Sequence, residues 1–303
     1  MVKMFKKLLI NYYFKKEFKY SVLNNNKKSI FYLDQILALD KNNVRALLIK
    51  GVSYAYLFDK YNSMQCFDNA LKIEPDNCNI YYKKALSLYY LHEYTSAITL
   101  FNKILENNLN NDIILNNIGE CYLELDKYDL AIDYFNKVLE IDNKNILVLL
   151  NLGVCYSDLK MYDKSLFYLN KVLELDNNNA SAFLQISNVF RHKGEYETAN
   201  EYIDLALNQK PNDLTLLISK YLILANLDNI NSISYFEDIK LENIDNCQLI
   251  QLYYLYYGTS LEIFGKYDEA IMIYDEYLEN YDFLTEEILH ERDLLYQKIS
   301  NNR

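Results

Sequence analysis

The sequence contains no Trp, six Gly and two Pro in 303 residues. So few turn-formers exclude an all-β fold with many hairpins, and they exclude the Gly-rich loops that cradle phosphates. The five cysteines (Cys66, Cys78, Cys121, Cys155 and Cys247) are odd in number and widely spaced, with no C-x-x-C pair. They read as reduced thiols of a cytosolic protein rather than as a disulfide framework. His92, His192 and His290 lie far apart, so no metal-ligand spacing is present. No apolar run approaches the roughly 18 residues of a membrane span. A net charge of −11 argues against a general nucleic-acid binder, which needs a cationic surface to displace counterions. No nucleophile–base pair, nucleotide loop or metal set stands out, so the reading is non-enzymatic, with no cofactor.

What the sequence has in quantity is apolar and aromatic side chains, at 51% hydrophobic residues and 31 Tyr. They are arranged with a period. Gly51, Ala85, Gly119, Gly153 and Ser187 are all small and stand 34 residues apart. Gly194 and Gly265 fall at a second place in this period, counting a shift of three residues that also places Gly258. Pro75 and Pro211 fall at a third. Around the small residue the apolar positions follow helical spacing. Leu115, Ile118, Gly119 and Tyr122 lie at i, i+3, i+4 and i+7, and Ala131, Phe135 and Val138 repeat the rule on a second helix. The next repeat reads Leu149, Leu152, Gly153, Tyr156, Tyr162, Ser165 and Leu169. A short turn such as Asp126-Lys127-Tyr128 joins the two helices. Asn-rich loops such as Asp142 to Asn145 join the repeats, and Asn both ends helices and caps them. The turn position carries His92, Asp126, Lys160, Gly194 or Gly265. If it requires φ > 0, Lys160 is its least comfortable occupant. Small residues on facing helices let the pair approach closely, and each pair leaves an apolar face that must stack on the next.

These residues resemble the tetratricopeptide repeat pattern W-x2-L-G-x2-Y…A-x3-F…P, with Leu, Tyr or Phe in place of the Trp. The resemblance implies an all-α, right-handed superhelical solenoid of antiparallel helix pairs, closed by a C-terminal capping helix. It divides the chain into five parts. Residues 1–43 are a basic N-terminal helix with a degenerate first repeat. Residues 44–213 are five clear repeats (44–77, 78–111, 112–145, 146–179 and 180–213). Residues 214–246 form a degenerate repeat, with Tyr221 and Ile233 at the small positions. Residues 247–283 form a displaced repeat, and 284–303 are the capping helix and tail. Ile288, Arg292, Leu295, Tyr296 and Ile299 are expected on one side of that last helix.

In this family the first helix of each pair lines a concave groove. Carried onto this sequence, the candidate groove residues are Tyr82, Lys83, Asn116, Asn117, Glu120, Glu124, Asn151, Val154, Asp158, Gln185, Asn188 and Arg191. Asn117, Asn151 and Gln185 occupy the position that forms a carboxamide ladder in some members. A carboxamide pairs with both N–H and C=O of a peptide backbone, so it grips an extended chain whatever its side chains. Glu120, Glu124 and Asp158 imply a ligand with basic residues opposite them. No triplet of repeats satisfies the two-Lys/Asn clamp for a terminal carboxylate.

The expected function is therefore a cytoplasmic, non-catalytic scaffold or adaptor that binds a protein or peptide in its groove. An assembly subunit acting through its ends or convex side is the alternative. The basic segment leaves a further reading open. Residues 1–28 hold eight Lys and one acid, a net of +7 that leaves −18 on the remainder. Phe5, Leu8, Leu9 and Tyr12 share a helical face there. Such a helix lies on an anionic membrane or acidic partner, or packs that face inward as the first helix of the first repeat. The match of Ser29–Asn43 to the repeat favours inward packing, although Glu17 stands where a small residue belongs.

Overall fold

The structure is a computed structural model that describes residues 2–106, 111–241, 246–281 and 285–301. It comprises two compact halves, Met1–Asn151 and Leu152–Arg303. The N-terminal half holds α1 (Val2–Val22), α2 (Asn26–Leu39), α3 (Val44–Tyr56), α4 (Lys60–Ile73), α5 (Cys78–Tyr90), α6 (Tyr94–Leu105), α7 (Asp112–Leu123) and α8 (Tyr128–Ile141). Helix α9 (Ile146–Asp158) spans the division. The C-terminal half continues with α10 (Tyr162–Leu175), α11 (Ala180–His192), α12 (Tyr196–Gln209), α13 (Leu214–Asn226), α14 (Asn231–Glu237), α15 (Cys247–Ile263), α16 (Tyr267–Asn280) and α17 (Thr285–Asn301). Among the described residues all regular structure is helical, and no helix is long and apolar enough to cross a membrane.

The 34-residue period is a period of backbone punctuation. Asn43, Asn77, Asn111, Asn145 and Asn179 each precede a helix. Their side-chain oxygens accept from the amides of Ala46, Asn79, Ile114, Val148 and Ala182 at 2.9–3.2 Å. Asp213 caps α13 in the same way. Each cap is worth about 1 kcal/mol. The turn inside each pair has φ > 0 at Asn24, Phe58, His92, Asp126, Lys160, Gly194 and Asp228, seven residues spaced by 34. Lys160 is therefore not the bulkiest occupant of this left-handed position, because the aromatic Phe58 sits there at φ 57°. Asn24 and Asp228 carry the same turn into the two degenerate stretches.

The small positions permit close crossing. A Cβ on Gly119 would meet the Phe135 ring at 2.5 Å, and one on Gly153 would meet Leu169 at 2.5 Å. At three crossings a Ser hydroxyl donates across to a backbone carbonyl. Ser63 reaches Gly51 at 2.8 Å, Ser165 reaches Gly153 at 2.6 Å, and Ser187 reaches Ala199 at 2.7 Å. In the degenerate pair Tyr221 instead packs edge-on against Phe236, with ring centroids 5.5 Å apart.

Two inward-face expectations are corrected. Helix α1 does pack on α2, but through Ile10, Tyr13 and Phe14, which join Leu33 and Ile36 of α2 and Ala46 of α3 in one apolar cluster. Phe5, Leu8 and Tyr12 are 68%, 58% and 51% exposed, and Leu9 is half-buried. The helix is apolar on two sides, and the packed side also buries Glu17, whose Oε1 accepts from Ser29 Oγ at 2.9 Å. On α17, Ile288 and Leu295 are buried and Ile299 packs with them, while Tyr296 turns outward. Arg292 pairs with Asp275 at 3.0 Å. Residues 282–284, where the boundary between displaced repeat and final helix is expected, lie outside the described residues.

Burial raises the Glu17 carboxyl above its ordinary 4.5, and the Ser29 hydroxyl and Arg45 offset this only in part. A carboxyl raised in the folded state favours folding while protonated. That contribution is lost as pH climbs from the ordinary value through the raised one. Glu17→Gln keeps an acceptor for Ser29 and removes the charge. Amide exchange across α1 at pH 7 is expected to slow in this variant, and its dependence on pH above 4.5 to flatten. Equal exchange in both proteins at every pH would show that Glu17 does not govern α1 docking.

Candidate functional site

Helices α5 and α7 and the first turns of α9 supply the part of the expected groove that belongs to the N-terminal half. Glu120 is its centre. Nδ2 of Asn116, one turn earlier on α7, donates to Glu120 Oε1 at 2.9 Å. Nδ2 of Asn151 on α9 donates to the same oxygen at 3.4 Å. Burial holds the Glu120 carboxyl above its usual range, the two amides oppose that rise, and Glu124 adds to it. Tyr89 of α5 is half-buried, and its phenol is pushed far up by burial and by these two carboxylates. Glu124 Oε2 accepts from Tyr94 Oη at 3.0 Å, and Tyr94 Oη lies 2.7 Å from His92 Nδ1. The Tyr94 hydroxyl has one proton and gives it to Glu124, so His92 Nδ1 must donate. No described Lys or Arg pairs with Glu120 or Glu124.

The structure thus brings together Asn116, Glu120, Glu124 and Asn151. Asn117 lies beside them, with its Nδ2 shielded and without a hydrogen-bond partner, as is Oδ1 of Asn116. The Asn151 amide is turned to Glu120 rather than left open. Tyr82 and Lys83 are half-buried on α5, with the Tyr82 ring 6.2 Å from that of Phe101. In the C-terminal half, Val154 is half-buried and Asp158 exposed on α9. Gln185, Asn188 and Arg191 follow one another on α11. Asn188 Nδ2 donates to Gln185 Oε1 at 3.4 Å, and the Arg191 guanidinium lies 5.6 Å from the centre of the Tyr256 ring on α15. Sequence reasoning did not identify His92 and Tyr94 as neighbours of the acidic cluster. Both occupy turn and helix-start positions that recur in other repeats for structural reasons, so no signal set them apart.

The buried thiols are quiet. Burial pushes the Cys121 and Cys155 thiols up to about 12 and Cys66 to about 11, so none offers a thiolate at neutral pH. Among the described residues no His, Cys, Asp and Glu cluster has metal-site geometry.

Two family models, each described as Tetratricopeptide repeat, match this chain. One matches residues 76–144 and 112–178, the other residues 44–77. A tetratricopeptide repeat protein from Parabacteroides merdae is similar in structure at 17% identity, with a TM-score of 0.66 over 84% of this chain and 98% of that one. Yeast Tom70 is similar at 15% identity, with a TM-score of 0.62 over 91% of this chain and 60% of its own. Curated protein sequences yield no match. The periodic caps, the left-handed turns, the close crossings and these likenesses agree on an all-α helical-repeat solenoid, in which residues 44–178 are tetratricopeptide repeats.

Proposed function

We propose that this chain is a non-catalytic adaptor that binds an extended, Lys- or Arg-bearing protein segment along the face presented by α5, α7 and α9. A tetratricopeptide repeat fold serves generally as a protein-interaction scaffold, and the finer reading rests on Glu120. This carboxylate is half-buried, takes two amide hydrogen bonds on one oxygen, and has no described cationic partner. A buried carboxylate gains most from a cation that arrives with its own hydrogen bonds. Asn117 and Asn151 would hold the ligand backbone, which requires the Asn151 amide to leave Glu120 as the cation replaces it.

Titration calorimetry with extended peptides, with Lys and Arg present or replaced by Gln, tests this directly. The Asn117→Ala/Asn151→Ala variant is expected to weaken every binding peptide by about 1 kcal/mol per Asn. Its circular dichroism should not change. Unchanged affinity in this variant, or equal affinity for Lys and Gln peptides, would remove the groove assignment.

A further inference from the structure

The outward side of α1 is a surface that the groove reading leaves unused. At 3.6 residues per turn, Met4, Phe5, Leu8, Tyr12, Phe18 and Val22 fall within one arc of about 140°. Each is 51–71% exposed. Lys15 and Lys19 lie inside that arc and Lys16 and Lys7 at its two edges, while Lys6 falls on the far side of the helix. None of these five lysines pairs with a described carboxylate. Lys16 lies 5.6 Å from the Tyr12 ring centre and Lys19 lies 5.9 Å from that of Tyr20. The opposite side of the helix is already occupied by α2.

We propose that this face docks on an anionic lipid bilayer, with α1 lying in the interface. Charge and shape select that occupant. Residues 1–28 carry +7 on a chain otherwise at −18, so an anionic surface attracts α1 and repels the rest. The attraction therefore also orients the molecule. The face is a convex ridge about 27 Å long from Met4 to Val22. A fluid bilayer closes around such a ridge and meets each lysine with a mobile headgroup. A protein partner would need a groove with carboxylates fixed opposite Lys15, Lys16 and Lys19. Met4, Phe5, Leu8 and Tyr12 are side chains that enter the acyl boundary, and lysine stems reach back from it to the headgroups.

The test is co-sedimentation of the full chain with phosphatidylcholine vesicles, with and without phosphatidylserine. Binding is expected only with phosphatidylserine, and it should fall with added salt. Lys15→Gln/Lys16→Gln/Lys19→Gln should lower the partition coefficient by about two orders of magnitude. Phe5→Ser/Leu8→Ser should lower it by at least about tenfold. All of these side chains point away from the core, so helix content should not change. No binding to phosphatidylserine vesicles overturns the proposal. So does binding that survives Phe5→Ser/Leu8→Ser, which would leave surface attraction without insertion. Concentration-dependent self-association abolished by the same substitutions would assign the face to a second copy of the chain instead.

Discussion

Tyr274→Ala is expected to lower the stability of the C-terminal half by about 3–5 kcal/mol. The side chain is fully buried between α15 and α16. Its ring covers Gly258, where an added Cβ would meet ring atoms at 2.2 and 2.4 Å. Its hydroxyl donates to Glu262 Oε1 at 2.9 Å. Truncation therefore opens a cavity and strips a donor from a carboxylate that burial already holds above its usual range. Tyr274→Phe separates the two losses, because only the hydrogen bond goes, at about 1.5–3 kcal/mol for a charged acceptor. Gly258→Ala approaches the same contact from the other side. Helix propensity alone would make that change stabilising by about 1 kcal/mol. Overpacking against a ring pinned at both ends makes it destabilising by about 1–3 kcal/mol instead. Urea unfolding read by amide exchange on α15 and α16 gives the sign. A Gly258→Ala variant more stable than the natural protein would refute the close-crossing argument. Ala85, which takes the corresponding place opposite Phe101, is fully buried. A ring without a tethered hydroxyl can yield the space, so the penalty at Gly119 should be smaller than at Gly258.

Glu120→Lys should weaken binding of Lys- or Arg-bearing peptides by a factor of about 100 or more, since it replaces an attraction with a buried like-charge contact. Glu120→Gln should cost less, because a neutral acceptor remains for the ligand amine. The pH dependence carries the same information. The free carboxyl is raised by burial, and a bound cation pulls it down. Affinity should therefore fall as the solution is acidified through the free-state value, and this fall should vanish in Glu120→Gln. Affinities that track pH alike in both proteins would place the cation elsewhere.

The backbone punctuation was legible because one residue type meets one local need. An Asn at a fixed interval before a helix can only be a cap or a stop, and Asn43, Asn77, Asn111, Asn145 and Asn179 are caps. Packing faces were less legible. On α1 both Phe5-Leu8-Tyr12 and Ile10-Tyr13-Phe14 satisfy helical spacing, and periodicity has no means of choosing between two apolar sides. The choice is made in tertiary packing, where Ile10, Tyr13 and Phe14 meet the apolar cluster of Leu33 and Ile36 on the neighbouring helix. Phe58 in a left-handed turn was hidden for a related reason. Its backbone obeys the repeat while its ring stacks on His92 in the next turn, 6.3 Å away. At the proposed groove, the family pattern puts Asn151 and Glu120 on the same face. Only the structure shows the amide of one spent on the carboxylate of the other.

The hydroxyl-to-carbonyl bonds of Ser63, Ser165 and Ser187 each join residues twelve apart in the chain. Closing so short a loop takes well under a microsecond, and contacts this local make for fast folding. The bonds that close one helix pair thus need nothing from later repeats, and what a later repeat supplies is the cover for the apolar face that the pair leaves open.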